Sequence, residues 1–182
     1  QNNLAGLDRV LDLLTEPTEI VGNDGARDLQ RSDVAGAVKF DNVSFRYPNA
    51  EQFVLSDVSF SVKAGSTVAL VGRSGAGKTT LCNLVARFYN PTSGCIHLDG
   101  NNLNDIQLES YRRLLGVVEQ DVFLFDGAVF ENIAYGRRGA TLAEVQAATQ
   151  AAAAREFVEA LPQGFETWIG ERGVKLSGGQ RQ

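Results

Sequence analysis

Residues 68 to 80 read Val68-Ala69-Leu70-Val71-Gly72-Arg73-Ser74-Gly75-Ala76-Gly77-Lys78-Thr79-Thr80. The apolar run at the start of this stretch predicts a buried strand, and the glycine-rich loop after it leads into a helical pattern from Thr80 to Phe88. A G-x-x-x-x-G-K-[ST] pattern between a strand and a helix is typical of a P-loop. The sequence therefore predicts an α/β fold with a P-loop NTPase core.

The chemistry expected of this loop is phosphate binding. Its glycines permit a backbone path in which successive N–H groups point at phosphate oxygens, with the helix N-terminus behind them. Lys78 would reach the β and γ phosphates of a nucleoside triphosphate, and the Thr79 hydroxyl would ligate Mg²⁺. A P-loop alone leaves kinases, GTPases, motor ATPases and transporters open.

A second segment narrows this choice and reads Leu176-Ser177-Gly178-Gly179-Gln180-Arg181-Gln182. Ser177 is a favourable N-cap, and the glycines after it expose backbone amides at a predicted helix start. Ser-Gly-Gly alone is also an ordinary turn. Beside a P-loop in the same chain, the segment resembles the signature motif of the ATP-binding cassette (ABC) family. The resemblance implies a head-to-tail dimer, in which residues 177–180 of one cassette close on ATP bound to the P-loop of the other.

Other segments resemble the same family. Phe45-Arg46-Tyr47-Pro48 is similar to the A-loop, which makes Tyr47 the candidate for stacking on adenine, although a tyrosine packed on its own domain is the alternative. Residues 117–121 resemble the Q-loop, so Gln120 would lie near Mg²⁺ and the attacking water. The resemblance thus implies Lys78 and Gln120 as catalytic residues, and Thr79 and Gln120 as magnesium ligands.

Two stretches favour an exporter within this family. Residues 123–136 resemble the segment that follows the Q-loop in exporters, and residues 170–173 resemble the exporter X-loop. The family's Walker B strand, catalytic glutamate and histidine switch would all follow the signature motif. We therefore expect a truncated fold, part of a longer protein and inactive alone.

The domain organisation expected from the sequence has three parts. Leucines at positions 4, 7, 11 and 14 predict an amphipathic helix over residues 1–16. This helix resembles the segment that follows the membrane domain of an exporter, which here would be missing, although a helix docked on any globular surface would look the same. Residues 17–36 are polar and turn-rich, which is typical of a linker. Residues 37–182 form a partial nucleotide-binding domain, with an antiparallel β subdomain and a small helical subdomain at about 121–182. Thr141 and Glu144 form a capping box that opens a helix to about Ala154.

Composition sets limits on this interpretation. The chain has 182 residues, 43% of them hydrophobic, and a net charge of −5, which does not favour a nucleic-acid partner. No apolar stretch is long enough to span a membrane. We expect Cys82 and Cys95 to be buried free thiols, and His97 to be an ordinary strand residue before a hairpin turn at Asp99-Gly100.

The resemblance implies the ATP-binding and ATP-hydrolysing domain of an exporter. Its expected partners are a second nucleotide-binding domain and a fused transmembrane domain, at the cytoplasmic face of a membrane. One alternative is a soluble ABC-type ATPase of DNA repair, chromosome organisation or translation, which the short helical insertion disfavours. Another is a catalytically incomplete nucleotide-binding fragment. The transported substrate is not encoded in these residues.

Overall fold

The computed structural model describes residues 9–11, 13–15, 26–119, 122–170 and 176–181. The chain divides into two compact units, residues 1–115 and 116–182. Residues 9–11 and 13–15 are helical, in agreement with the leucine spacing, whereas Leu4 and Leu7 lie outside the described residues. Among the helices of the described part, none has the length and apolar character needed to cross a bilayer.

The elements of the first unit are β1 (Val38–Phe45), β2 (Leu55–Val62), α1 (Lys78–Val85), β3 (Ser93–Leu98), β4 (Asn101–Asn102) and α2 (Leu108–Arg112), with 3₁₀ turns at Arg31–Asp33 and Leu103–Asp105. Those of the second unit are α3 (Val129–Ala134), α4 (Leu142–Ala151), α5 (Arg155–Glu159) and α6 (Gly178–Arg181), with a 3₁₀ turn at Gly164–Glu166.

The strands of the first unit form one antiparallel sheet in the order β2-β1-β3-β4, as expected for an antiparallel β subdomain. Phe40 of β1 lies opposite Phe60 on one side and Ile96 on the other. Phe40 is 1% exposed and its ring stacks on that of Phe60. Since side chains alternate along a strand, Lys39 and Asp41 lie on the opposite face of the sheet.

The core of this unit joins the sheet to α1 and α2 through Val43, Phe45, Leu55, Leu84, Ile96, Leu98, Ile106 and Tyr111. The end of the segment interpreted as a linker packs against this core. Leu29 is buried there, and Arg27 forms a bridge with Ile106. The predicted Asp99-Gly100 hairpin is confirmed, because both residues have positive φ and Leu98 pairs with Asn101.

The predicted strand before the P-loop is not formed. Residues 67–73 make no ladder with any described segment, and Val71 is 93% exposed. Val117 and Val118, just before Gln120 in the Q-loop segment, are likewise exposed and form no ladder within the described part of the chain. An apolar run becomes a strand only when another strand supplies hydrogen-bond partners, and no described segment pairs with residues 67–73.

The second unit is helical and has its own core. Val129, Val145, Val158, Phe165 and Ile169 form a buried cluster. The predicted capping box is confirmed: the Thr141 hydroxyl accepts from the Glu144 N–H, and the Glu144 carboxylate accepts from the Thr141 N–H at 2.9 Å. The helix ends at Ala151, slightly before the predicted Ala154, because Ala153 adopts a φ of 53° that no α-helix continues.

Candidate functional site

The glycine-rich loop joins residues 72–77 to the N-terminus of α1. Gly75 and Gly77 have φ values of +80° and +86°, a region that side chains with a Cβ rarely adopt. A Cβ on Gly77 would also lie 2.8 Å from the Leu55 Cδ2 atom, whereas one on Gly75 would meet nothing within 4 Å. Gly77 is therefore needed for both backbone conformation and close packing, and Gly75 for conformation.

Lys78 folds back over its own loop. Its Nζ donates to the carbonyl oxygens of Gly72, at 2.9 Å, and Arg73, at 2.8 Å. The ammonium group thus closes the loop at the start of α1. A lysine in this position lies within reach of any anion held by the loop amides.

The start of α1 fits a phosphate group. Gly77, at the N-cap position, has no side chain with which to cap the helix, and no acidic residue lies in the first turn. The first N–H groups of a helix lack intrahelical acceptors and carry the positive end of its dipole. With the Lys78 ammonium beside them, these amides form a concentration of donors that an anion can satisfy.

The two threonines after Lys78 differ in their surroundings. Thr79, which is predicted to ligate Mg²⁺, is exposed. Thr80 is 5% exposed, and its Oγ1 lies 3.0 Å from the Tyr47 hydroxyl oxygen. The Thr80 hydroxyl is thus engaged with Tyr47, and Thr79 has the more accessible side chain of the pair.

Tyr47 lies just beyond the end of β1, half-buried in an aromatic cluster. Its ring centroid is 5.0 Å from that of Phe45 and 5.1 Å from that of Tyr89, with edge-to-face geometry in both pairs. A cavity of about 570 Å³ is lined by Tyr47, Tyr89 and Asn90, among others. The structure therefore shows Tyr47 packed on its own unit, beside both the first turn of α1 and an open cavity.

Sequence reasoning missed Tyr89, which shapes this cavity. Its position after α1 carries no motif, and only the fold brings it back to β1.

Sequence reasoning also missed a group that fixes the far end of α1. The Tyr111 hydroxyl donates to the Val85 carbonyl, and Arg112 Nη2 donates to the Arg87 carbonyl at 2.7 Å. Burial raises the pKa of Tyr111 to about 12, so this hydroxyl keeps its proton at neutral pH.

The predicted signature motif starts a short helix in the second unit. The Ser177 N–H donates to the Gln180 Oε1 at 2.9 Å, and the Gln180 N–H donates to the Ser177 Oγ at 3.4 Å. This reciprocal pair is a capping box, so the prediction of Ser177 as an N-cap is confirmed. Gly179 and Gln180 are exposed.

Several predicted residues cannot be placed. Gln120, the candidate catalytic residue and metal ligand, lies outside the described residues, as do residues 171–173 of the X-loop segment. The segment after the Q-loop is described from residue 122. There the Asn132 side chain bonds both the N–H and the carbonyl of Phe125. These contacts fix the chain as it enters α3.

The expectation of two buried thiols is wrong for Cys82, which is exposed. α1 buries Thr80 and Leu84, one helical turn apart, so a residue midway between them points away from the core. Cys95 is half-buried on β3, and the structure describes it as a free thiol. His97 is a strand residue, as predicted, but its Nε2 lies 3.7 Å from the Cys95 Sγ.

Comparison with known proteins adds family evidence. A family model described as "ABC transporter" matches residues 55–182. The chain is 49% identical to an "ATP-dependent lipid A-core flippase" of Alkalilimnicola ehrlichii, covering 100% of this chain and 30% of that protein. It is 47% identical to the "Putative multidrug export ATP-binding/permease protein YgaD" of Bacillus subtilis, covering 99% of this chain and 31% of that protein.

A solved structure, of "a bacterial Atm1-family ABC exporter with ATP bound", is similar at a TM-score of 0.87 and 43% identity, over 99% of this chain and 31% of that one. The chain thus spans about 30% of the length of the relatives that it matches. The family match over residues 55–182 includes both the P-loop and the capped Ser-Gly-Gly-Gln segment. The chain belongs to the ABC transporter family.

Proposed function

We propose that this chain binds ATP and hydrolyses it as the nucleotide-binding part of an exporter-type ABC transporter. The observation that carries the proposal is the position of Lys78, folded over a glycine loop at the uncapped start of α1. This arrangement suits a polyanionic phosphate chain. The family match and the similarity to an ABC exporter with ATP bound support the nucleotide assignment.

Binding begins with an exchange of partners at Lys78. Its ammonium leaves the Gly72 and Arg73 carbonyls for the β and γ phosphate oxygens, while the loop amides and the first turn of α1 receive the remaining phosphate charge. Tyr47 offers its ring to adenine from the end of β1. Thr79 supplies a hydroxyl to Mg²⁺, which when bound neutralises charge on the β and γ phosphates.

Hydrolysis of the β–γ bond depends on positioning and charge neutralisation more than on covalent chemistry. Lys78 and the loop amides hold the γ-phosphate as negative charge develops on the bridging oxygen. We assign Gln120 the task of orienting the attacking water.

The signature segment points to a second copy of the domain as partner. One triphosphate held by the P-loop does not need the signature segment of the same chain as well. We propose that residues 177–180 of one domain complete the ATP site of another, in a head-to-tail dimer that closes on ATP and reopens after hydrolysis. Closure would drive a fused transmembrane domain at the cytoplasmic face of the membrane.

The two relatives described above, a flippase and an export permease, favour export over a soluble ATPase of DNA repair, chromosome organisation or translation. One of these relatives is named for lipid A-core and the other for multidrug export, although the two are almost equally similar to this chain. We therefore assign export without a specific cargo.

The proposal is tested by measuring ATP binding and hydrolysis separately in the purified full-length protein. Ser177→Arg should leave ATP affinity within about twofold of wild type and reduce hydrolysis at least about tenfold, because a bulky cation at the start of α6 obstructs dimer closure. Gln150→Arg adds the same charge at an exposed position on α4 and should change neither. Hydrolysis at the wild-type rate in Ser177→Arg would overturn the proposed role of the signature segment.

A further inference from the structure

Three side chains with metal-ligating atoms meet on the outer face of the sheet in the first unit. Asp41 of β1 lies directly opposite Cys95 of β3, and His97 follows two residues later on the same strand. Pairing across the ladder and alternation along the strand put all three on one face. Their ligand atoms lie within 4.8 Å of one another, and no other such group of three is found among the described residues.

The spacing of the thiol and the imidazole is that of two ligands on one ion. Tetrahedral Zn²⁺, with Zn–S about 2.3 Å and Zn–N about 2.0–2.1 Å, holds its sulfur and nitrogen ligands about 3.6 Å apart. The Cys95 Sγ and His97 Nε2 are 3.7 Å apart. The distance between these two atoms is therefore compatible with both of them binding one ion.

His97 also has an unsatisfied hydrogen-bonding atom. Its Nδ1 is buried with no hydrogen-bond partner among the described residues, and its Nε2 faces only the weakly bonding thiol. The nitrogen that lies 3.7 Å from the Cys95 Sγ is Nε2, so this atom would share the ion with the thiol. A thiol is a weak hydrogen-bond partner, and a bound cation would replace it.

Asp41 is the adjustable member of the group. Its Oδ2 accepts from the Lys39 ammonium at 2.9 Å, and both side chains are substantially exposed. Moving the carboxylate off Lys39 costs little, because an ion pair between two exposed side chains is weak in water. Asp41 and His97 also line a cavity of about 460 Å³, which leaves room for a water or another small molecule as a fourth ligand.

We propose that Asp41, Cys95 and His97 form a binding site for a zinc-class divalent cation on the outer face of the sheet, separate from the nucleotide site. One thiolate, one imidazole and one carboxylate are the ligand types that zinc takes in proteins. Mg²⁺ prefers oxygen ligands in octahedral geometry and does not fit this set. The ion would clamp β1 to β3 and leave one coordination position open to the cavity.

The site is tested with the metal alone, on the purified full-length protein without nucleotide and in excess Mg²⁺. Wild type should bind one more equivalent of Zn²⁺ than Cys95→Ser or His97→Gln, in which the affinity of the site falls roughly tenfold or more. Co²⁺ should give a thiolate-to-cobalt charge-transfer band that is absent from Cys95→Ser. Cys82→Ser, which removes the exposed thiol on α1, should still bind the additional equivalent of Zn²⁺ and should still show the Co²⁺ charge-transfer band.

A variant that is expected to bind Zn²⁺ more tightly gives a result that misfolding could not produce. Lys39→Gln releases Asp41 from its competing cation and should tighten Zn²⁺ binding by roughly two- to tenfold, whereas Lys63→Gln, at the rim of the same cavity, should change it less than about twofold. Equal Zn²⁺ binding by wild type, Cys95→Ser and Lys39→Gln would overturn the proposal, as would displacement of the ion by Mg²⁺. Because the P-loop takes no part, failure here leaves the nucleotide proposal intact.

Discussion

The Tyr47 hydroxyl oxygen lies 3.0 Å from the Thr80 Oγ1, which joins the end of β1 to the first turn of α1. Thr80 is almost fully buried, so this hydrogen bond is shielded from water. It sets the distance between the aromatic residue proposed for the base and the helix start proposed for the phosphates. The two halves of the candidate nucleotide site are therefore held together by a side-chain contact as well as by the sheet.

Substitutions of Tyr47 separate its ring from its hydroxyl. Tyr47→Ala should weaken ATP binding roughly 5- to 150-fold, because base–aromatic stacking is worth about 1–3 kcal/mol. Tyr47→Phe keeps the ring but loses the hydrogen bond to Thr80, so it should weaken ATP binding much less than Tyr47→Ala does. Equilibrium titration with a fluorescent ATP analogue measures both.

Phe53→Ala is the control for these variants, since Phe53 is an exposed aromatic residue of the same unit that contacts Arg46. It should leave ATP affinity unchanged. Equal affinities for Tyr47→Ala and Phe53→Ala would show that Tyr47 only packs on its own unit.

Alanine substitutions at two glycines of the P-loop are predicted to lower the free energy of unfolding by different amounts. Gly75→Ala places a Cβ in open space at positive φ, so it should cost about 1–2 kcal/mol of backbone strain. Gly77→Ala incurs the same strain and also forces a methyl against buried Leu55, which adds about 1–3 kcal/mol. Hydrogen exchange of β1 and β2 should therefore show the larger loss of protection for Gly77→Ala. A larger loss of protection for Gly75→Ala would contradict the close approach of Gly77 to Leu55.

Asp99 gives the first unit a pH-dependent stability. Its carboxylate accepts from the N–H groups of Ala35, Gly36 and Ala37, and the Ala37 bond is 2.8 Å long. Partial desolvation alone would raise the pKa of Asp99, but the three backbone hydrogen bonds together outweigh it and hold the pKa below the ordinary value of 3.8. A lowered pKa means stability that is fully present above 3.8 and is lost as the pH falls through the folded-state value.

Asp99→Asn tests this without disturbing the hairpin, because asparagine suits the positive φ of this turn. At pH 7 the variant should be less stable by about 1–2 kcal/mol, since a neutral amide accepts more weakly than a carboxylate. The difference should shrink as the carboxyl of wild type becomes protonated in acid. The urea unfolding midpoints of wild type and Asp99→Asn, measured from pH 7 downward, test this expectation. A stability difference that does not change with pH would contradict the role assigned to the Asp99 carboxylate.

Local features of the sequence were enough to predict much of this structure. The helix after the P-loop, the hairpin at Asp99, the capping box of Thr141 and the N-cap at Ser177 all depend on residues close together in the chain. Each has a short-range physical cause, such as a turn dipeptide or a side chain that caps a helix. Of these elements, the helix after the P-loop begins at Lys78 and so positions the end of the loop.

Features that depend on long-range pairing could not be predicted in this way. The run at 68–71 has strand composition, but its ladder requires a partner strand that no described segment supplies. The approach of Tyr89 to Tyr47 depends on how α1 packs on the sheet. Likewise, Asp41 meets Cys95 and His97 only through the register of β1 on β3, and 54 positions separate Asp41 from Cys95 in the chain.

The central claim is that the loop closed by Lys78 binds the phosphates of ATP. Equilibrium ATP binding to the purified full-length protein tests it most directly, in Lys78→Ala and in Lys63→Ala, which removes an equal charge from an exposed turn of the same unit. Lys78→Ala should lose roughly 100-fold or more in affinity, because a charge-assisted contact with the β and γ phosphates is removed, while Lys63→Ala should match wild type. Unchanged ATP affinity in a folded Lys78→Ala protein would contradict the account.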